Sequence, residues 1–324
     1  MLHKELRKRI LILDGGMGTE LQKYSLQAED FCGAVGCYEI LNETRADIIL
    51  EVHKKYIEAG ADMIETNSFN CNAISLKNYQ LENKVYSLSK RSAEIAKQAA
   101  QGSGKKVYVL GSVGPSNRGL SFSLGSVPDP RNSSFQELQE VYYEQILGLV
   151  DGGVDGILIE TVFDGLNAKA AVIAAEEVFD FRKKALWICV SATVDKQGKL
   201  LTGESMESLI LSLDRPSILS FGFNCSFGAK DLVPLIQKIQ SCTTKYISLY
   251  PNAGLPNQDG DYVETVEQMI HDLLPVIQNR EVNILGGCCG TSYEYIRALA
   301  KSVSGKLPRV GSPIEEKKQA SFKE

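Results

Sequence analysis

One complete strand–helix–strand pattern occupies residues 156–190, which read GILIETVFDGLNAKAAVIAAEEVFDFRKKALWICV. The apolar run Gly156–Ile159 opens the stretch and ends in a glutamate, and a second apolar run, Leu186–Val190, closes it. Between them, over Ala168–Phe179, apolar residues recur every three or four positions, which is the spacing of one helix face. Short apolar runs separated by helices predict parallel strands joined by crossover helices.

The same alternation extends over nearly the whole chain. The apolar runs of strand length are Ile10–Leu13, Asp62–Glu65, Val107–Leu110, Gly156–Ile159, Leu186–Val190, Ile218–Phe223, Tyr246–Leu249 and Val282–Leu285. Helical patterns fill intervals between them at Ala46–Ala59, Val85–Ala100, Phe135–Asp151, Ala168–Phe179, Leu232–Ile239 and Val266–Ile277. Eight strands separated by helices predict a closed (β/α)8 TIM barrel of the α/β class. An open doubly wound sheet is the alternative, but no strand is followed by the G-x-G-x-x-G pattern of dinucleotide-binding sheets.

The predicted barrel covers residues 1–307 as one domain. Residues 308–324 are rich in Lys, Glu and Ser, and we expect a flexible tail or the start of a linker there. Lys and Arg number 35 and Asp and Glu 40, a net charge of −5, which argues against a nucleic-acid partner or an anionic membrane surface. No apolar stretch reaches about 18 residues and the N-terminus lacks a signal-peptide pattern, so we expect a cytoplasmic protein.

Three of the eight cysteines predict a metal site. Cys288 and Cys289 follow the eighth strand among glycines, and Cys225 follows the sixth. Adjacent Cα atoms lie about 3.8 Å apart, below the usual disulfide range of roughly 4.4–6.8 Å, so the neighbouring pair favours a shared metal ion over a disulfide. With only three histidines in the chain, sulfur ligands favour zinc or an iron–sulfur cluster. The alternatives are three small buried cysteines, or a closed structural zinc with a fourth ligand elsewhere.

Three thiolates with one open position are typical of a reactive zinc ion. Their excess negative charge makes the ion a poor acid toward water, yet it still ionises an incoming thiol. A free thiol has a pKa near 8.5, so only a small fraction is thiolate at neutral pH. Binding to zinc lowers the pKa of the thiol and raises that fraction. The sequence therefore predicts Cys225, Cys288 and Cys289 as metal ligands and catalytic residues that activate a substrate thiol for alkylation.

A thiol substrate that is an amino acid also needs partners for its two charged groups. Asp14 and Glu160 follow the first and fourth strands and are candidates for the ammonium group, while backbone N–H groups of the next glycine-rich turn are candidates for the carboxylate. The predicted substrate-binding residues are Asp14, Gly15, Gly16, Thr19, Asn67, Glu160 and Asn224. For Asp14, capping of a helix over Met17–Lys23 is an alternative role.

Several segments resemble the homocysteine-binding domain family. They are Ile10–Thr19, Glu65–Asn70, Gly114–Arg118, Ile159–Asp164, Asn224–Ser226, Pro251–Asn257 and Gly286–Thr291, and they arrive in the family's order between about Arg9 and Leu307. The segments Glu160–Ala171 and Pro251–Asn257 look most like the N-terminal homocysteine module of cobalamin-dependent methionine synthase. The resemblance implies a (β/α)8 barrel, zinc on the three cysteines and homocysteine as the methyl acceptor.

The resemblance also implies partners. In that synthase, folate-binding and cobalamin-binding modules follow the barrel, whereas this sequence contains no D-x-H-x-x-G cobalamin signature. We therefore expect methylcobalamin, charged by 5-methyltetrahydrofolate, to be presented by a separate domain or protein. Two alternatives remain open: a self-sufficient methyltransferase that uses S-methylmethionine or betaine, and a non-catalytic, zinc-stabilised scaffold.

Overall fold

A computed structural model describes residues 2–121 and 134–311 of the chain. Its strands are β1 Leu11–Ile12, β2 Met63–Glu65, β3 Tyr108–Val113, β4 Gly156–Val162, β5 Trp187–Ala192, β6 Ile218–Cys225, β7 Tyr246–Pro251 and β8 Ile284–Leu285. Each of the eight predicted apolar runs contains or overlaps one of these strands. The sequence prediction of the strands is confirmed.

One helix, α1, precedes the first strand, and the other helices follow the strands around the outside of the barrel. They are α1 Leu2–Leu6, α2 Met17–Leu21, α3 Leu41–Thr44, α4 Ala46–Ala59, α5 Ala73–Leu76, α6 Val85–Gly102, α7 Phe135–Asp151, α8 Gly165–Arg182, α9 Met206–Leu213, α10 Ala229–Ile239, α11 Val266–Gln278 and α12 Tyr293–Ser302. Short 3-10 turns lie at Tyr38–Ile40, Lys77–Tyr79 and Glu82–Lys84. All six predicted helices are present, and several helices begin at a side-chain cap, such as Ser134 before α7 and Asp164 before α8.

The strands form one parallel sheet in the order β1-β8-β7-β6-β5-β4-β3-β2. A parallel bridge between Leu13 and Met63 joins the two ends of that order. The backbone N–H of Asp62 donates to the carbonyl of Ile12 at 2.7 Å, and the Asp62 carboxylate accepts from the Ile12 N–H at 3.0 Å. These contacts close the ring, and the fold is the predicted (β/α)8 barrel.

Side chains alternate between the barrel interior and the helix layer. The interior is one apolar cluster that includes Leu11, Leu13, Met63, Leu110, Leu158, Cys189, Leu219, Tyr250 and Ile284. Intervening residues such as Ile12, Ile64 and Ile157 belong to the larger cluster beneath the helices. This period of two is the pattern of a strand whose faces are both buried. It directs Glu65, two residues beyond Met63, and Glu160, two residues beyond Leu158, into the barrel.

The first helix closes the end of the barrel where the strands begin. Leu2 and Leu6 belong to the interior cluster, and the Tyr246 hydroxyl donates to the carbonyl of His3 at 2.9 Å. Because α1 covers this end, the opposite end, formed by the loops that follow the strands, is the place for a ligand.

The chain continues to contact the barrel after the last helix. The Arg309 N–H donates to the carbonyl of Val282 at 3.0 Å, and its guanidinium donates to the carbonyls of Gln240, Thr243 and Lys245. Of the tail expected over 308–324, residues 312–324 lie outside the described part. In the described ranges, no helix is both long and apolar enough to cross a membrane.

Candidate metal centre and substrate site

Three thiols meet at the carboxyl ends of two strands. Cys225 is the last residue of β6, while Cys288 and Cys289 lie just beyond β8, two places round the barrel. Their sulfur atoms all lie within 4.8 Å of one another, and the Sγ atoms of Cys225 and Cys289 are 3.9 Å apart. Within residues 2–121 and 134–311, this is the grouping of three Cys, His, Asp or Glu side chains that could hold one ion. We call these residues the cysteine cluster.

The backbone around the cluster is tightly fixed. Cys225 has a left-handed conformation with φ of 56°. The N–H of Cys288 donates to the carbonyl of Pro251 at 2.8 Å, and the N–H of Cys289 donates to Oδ1 of Asn252 at 3.1 Å. The three thiols therefore converge because β7 anchors the turn after β8.

A glycine beside the cluster allows the Tyr262 side chain to pack against the backbone. Gly290 has a φ of +78°, and a Cβ there would lie 2.3 Å from the Cβ of Tyr262. The Tyr262 hydroxyl also donates to the Cys289 sulfur. Tyr262 belongs to the loop between β7 and α11, where a bridge pairs it with Pro256. This loop therefore packs directly on the turn that carries two of the thiols.

The thiols share their protons unequally. Hydrogen bonds donated by Cys225 and Cys288 hold the pKa of the Cys289 thiol well below its ordinary value. The pKa of the Cys288 thiol is raised well above its ordinary value, because this thiol hydrogen-bonds to the sulfurs of Cys225 and Cys289 and is buried. Cys289 is therefore the thiol of the cluster that ionises most readily, and thiolate is the form of cysteine that binds metal ions.

Three acids lie at the barrel mouth with the cysteine cluster: Asp14 and Glu160 are buried, and Glu65 is half-buried. Asp14 accepts the backbone N–H of Glu65 at 3.1 Å, and Glu160 accepts a short hydrogen bond from the Ser112 hydroxyl. Burial raises the pKa of all three acids, that of Glu160 to about 7, and their mutual repulsion adds to the effect for Asp14 and Glu65. In the described part of the chain, no Lys or Arg forms an ion pair with any of them. This set, the acidic trio, therefore favours a cationic ligand.

Asn224 links the cluster to a neighbouring strand. Its Oδ1 accepts from the Thr161 N–H at 2.9 Å, while its Nδ2 donates to the Thr161 hydroxyl at 2.8 Å and to the Cys288 sulfur at 3.9 Å. All its polar atoms have partners within the protein. The side chain is therefore placed to position a thiol.

The glycine-rich turn after β1 lies against the cysteine turn. A Cβ on Gly16 would lie 2.7 Å from the Cys288 carbonyl oxygen, and one on Gly15 would lie 2.5 Å from that of Thr291. The Gly16 N–H already donates to the Thr291 carbonyl at 3.1 Å, and the Thr19 hydroxyl accepts from the Gly290 N–H at 3.3 Å. The first of these contacts uses the Gly16 N–H, a donor that the predicted carboxylate site would need.

Two predictions from the sequence meet different surroundings in the structure. The residue that precedes α2 as its N-cap is Gly16, so the alternative role of Asp14 as that cap is wrong; its carboxylate faces Glu65 instead. The Asn67 amide donates to the Tyr38 carbonyl at 2.8 Å and to Asn42 Oδ1 at 3.1 Å. Both of its N–H groups are thus engaged within the protein.

Two residues of the site are not among the predicted binding residues. Glu65 is a strand-end acid that the sequence places at the barrel mouth, and the period of two from Met63 marks it as facing inward. Tyr262 lies in a polar loop 27 residues before Cys289, and no local pattern in the sequence links the two.

The fold and the site define a (β/α)8 barrel with a sulfur cluster and buried acids at its mouth. Residues 11–303 match the family model described as homocysteine S-methyltransferase. The chain belongs to that family and is a methyltransferase, which confirms the family predicted from its motifs.

Solved structures show the same fold. The homocysteine methyltransferase MmuM from Escherichia coli, in its metallated form, superposes with a TM-score of 0.72 at 24% identity, over 91% of this chain and 96% of that one. Its oxidised form gives a TM-score of 0.70 at 24% identity, over 90% and 95% of the two chains. An amine oxidase from Pseudomonas geniculata N1 superposes with a TM-score of 0.51 at 11% identity, over 75% of this chain and 42% of that one.

Proposed function

We propose that the protein is a zinc-dependent homocysteine S-methyltransferase that makes methionine. The observation that carries the proposal is the convergence of three sulfur atoms within 4.8 Å at the mouth of the barrel. Three thiol ligands and no imidazole suit zinc, and the lowered pKa of Cys289 makes its thiol the readiest of the three to ionise. Cys225, Cys288 and Cys289 would hold the ion.

The protein's own residues bind and orient the substrate. When bound, zinc supplies the Lewis acidity that ionises a thiol at neutral pH. Asp14 and Glu160 accept hydrogen bonds from the substrate ammonium group, which supplies the positive charge that these buried carboxyls lack. Asn224 holds the Cys288 sulfur in place, so the substrate thiol meets a fixed set of ligands.

For the methyl donor, we propose a methylcobalamin-binding protein that is charged by 5-methyltetrahydrofolate. The resemblance of Glu160–Ala171 and Pro251–Asn257 to the homocysteine module of cobalamin-dependent methionine synthase supports this choice. The corrinoid and folate partners, and the expected cytoplasmic location, stay predictions.

A small cationic donor, such as S-methylmethionine or betaine, is the second candidate. One aromatic residue borders the cysteine cluster, because the Tyr262 side chain packs on Gly290. Aromatic faces attract sulfonium and quaternary ammonium groups. This observation favours the alternative donor without changing the thiol site.

Metal analysis of three variants tests the zinc site. We expect about one zinc per wild-type chain after dialysis, and a large loss of zinc in Cys225→Ser and Cys288→Ser. The matched control is Cys242→Ser, because Cys242 lies after α10 and its sulfur donates to the Lys238 carbonyl. Full zinc retention in both cluster variants would overturn the proposal.

Donor assays test the reaction. Zinc-loaded protein and homocysteine are incubated with a methylcobalamin-loaded corrinoid protein, with S-methylmethionine or with betaine, and methionine is measured. Methionine from the corrinoid donor alone supports the first proposal, whereas turnover with a small cation supports the second. No methionine from any donor, together with zinc that homocysteine cannot reach, would indicate the non-catalytic scaffold.

A further inference from the structure

Glu65 lies in the barrel mouth and has no role in the mechanism above. In β2, Met63 belongs to the interior cluster and Ile64 to the helix layer, so the next residue turns inward again. Glu65 ends β2, next to β3 and across the closing bridge from β1, whose end is followed by Asp14. Its backbone N–H donates to the Asp14 carboxylate at 3.1 Å, and its carboxyl group is near enough to those of Glu160 and Asp14 for their charges to repel.

The carboxylate of Glu65 has an oxygen without a partner. Asp14 receives the Glu65 backbone N–H, and Glu160 receives the Ser112 hydroxyl. The Oε1 atom of Glu65, by contrast, is shielded from solvent and has no hydrogen-bond partner among the described residues. A buried acceptor that lacks a donor is costly in free energy, so an acceptor in this position calls for a donor from a ligand.

The number of acceptors matches one particular group. A primary ammonium carries one positive charge and three N–H donors, and the acidic trio presents three carboxyl groups and no cation of its own. A thiol without an amino group would leave the Glu65 Oε1 atom without a donor and all three carboxyl groups without a cation.

We propose that Glu65 is a specificity-determining residue that binds the ammonium group of homocysteine together with Asp14 and Glu160, and so selects α-amino thiols over simple thiols. This inference rests on the proposed function, because it takes homocysteine as the substrate. It adds the Glu65 carboxylate to the ammonium site as a third acceptor, and it assigns to Glu65 the selection of α-amino thiols over simple thiols.

Calorimetric titration of two ligands tests the inference. Homocysteine and 4-mercaptobutanoate, which lacks the amino group, are titrated into zinc-loaded wild type and Glu65→Gln. The amide keeps the size of the side chain but removes its charge. We expect homocysteine to bind at least about tenfold more weakly to Glu65→Gln, the loss of one charge-assisted hydrogen bond, and 4-mercaptobutanoate to bind both proteins alike.

Glu281→Gln is the matched control. Glu281 is a buried glutamate that also has an unpartnered oxygen, but it precedes β8 at the opposite end of the barrel. It should leave both affinities unchanged, and zinc content and thermal unfolding should show that each variant is folded and loaded.

The outcomes separate the two levels of the proposal. If wild type does not bind homocysteine, the proposed function itself fails. If wild type binds homocysteine and Glu65→Gln binds it equally well, or loses both ligands to the same extent, only the role of Glu65 is overturned.

Discussion

Replacing Gly290 by alanine tests whether the loop after β7 constrains the cysteine turn. Gly290 has a φ of +78°, which costs an alanine about 1–2 kcal/mol. Its new Cβ would also lie 2.3 Å from the Cβ of Tyr262 and 2.4 Å from the Cγ, far inside van der Waals contact. Relief of such overpacking costs about 1–3 kcal/mol more. We therefore expect Gly290→Ala to lower the free energy of unfolding by about 2–5 kcal/mol.

Gly305→Ala provides the matched control. Gly305 has a similar φ of +71°, but no atom lies within 4 Å of the position of its Cβ. It should lose only the backbone contribution of about 1–2 kcal/mol. The difference between the two variants in urea unfolding therefore isolates the contact with Tyr262.

The two variants should also differ at the metal site. Gly290 follows Cys289 and its N–H donates to the Thr19 hydroxyl at 3.3 Å, so a shift of this turn moves a thiol of the cluster. We expect weaker zinc binding in Gly290→Ala and unchanged binding in Gly305→Ala, measured by competition with a chromophoric chelator. Equal destabilisation of both variants, with zinc affinity unchanged, would refute the reasoning.

Two further predictions concern a histidine and a tyrosine. Burial lowers the pKa of His53 to about 4 from an ordinary value of 6.5. Between these pH values the unfolded chain binds a proton at His53 that the folded protein does not. The contribution of His53 to stability is therefore full above pH 6.5 and is lost as the pH falls to 4. Between pH 6.5 and pH 4, the free energy of unfolding should fall by about 3 kcal/mol less in His53→Leu than in wild type. The exposed His271→Leu is the control. Identical pH profiles of His53→Leu and wild type would contradict the prediction. Tyr262→Phe keeps the ring but removes the donor to Cys289, and chelator competition should show weaker zinc binding, whereas wild-type affinity would argue against that hydrogen bond.

The sequence predicted the strands and the sulfur cluster for the same physical reason. Strands buried on both faces leave continuous apolar runs, and the polar residues that end them must gather at one mouth once the barrel closes. Cys225 and Cys288 are 63 residues apart in the sequence, yet strand order alone brings them together.

Other features depend on contacts that no local pattern records. His53 in α4 is fully buried, and both of its ring nitrogens lack a hydrogen-bond partner among the described residues. Helix periodicity marks one face of α4, and it does not show that α6 and α12 also pack against this helix. The position of Asp14 before α2 is also that of a helix cap. Its actual partner, the Glu65 N–H, lies on another strand, and no local sequence pattern indicates that contact.

Zinc X-ray absorption, recorded with and without homocysteine, measures the central claim most directly. We predict three sulfur neighbours and one lighter atom in the zinc-loaded protein, and four sulfur neighbours after homocysteine is added. A spectrum that already shows four protein ligands and does not change with homocysteine would contradict an open site at Cys225, Cys288 and Cys289.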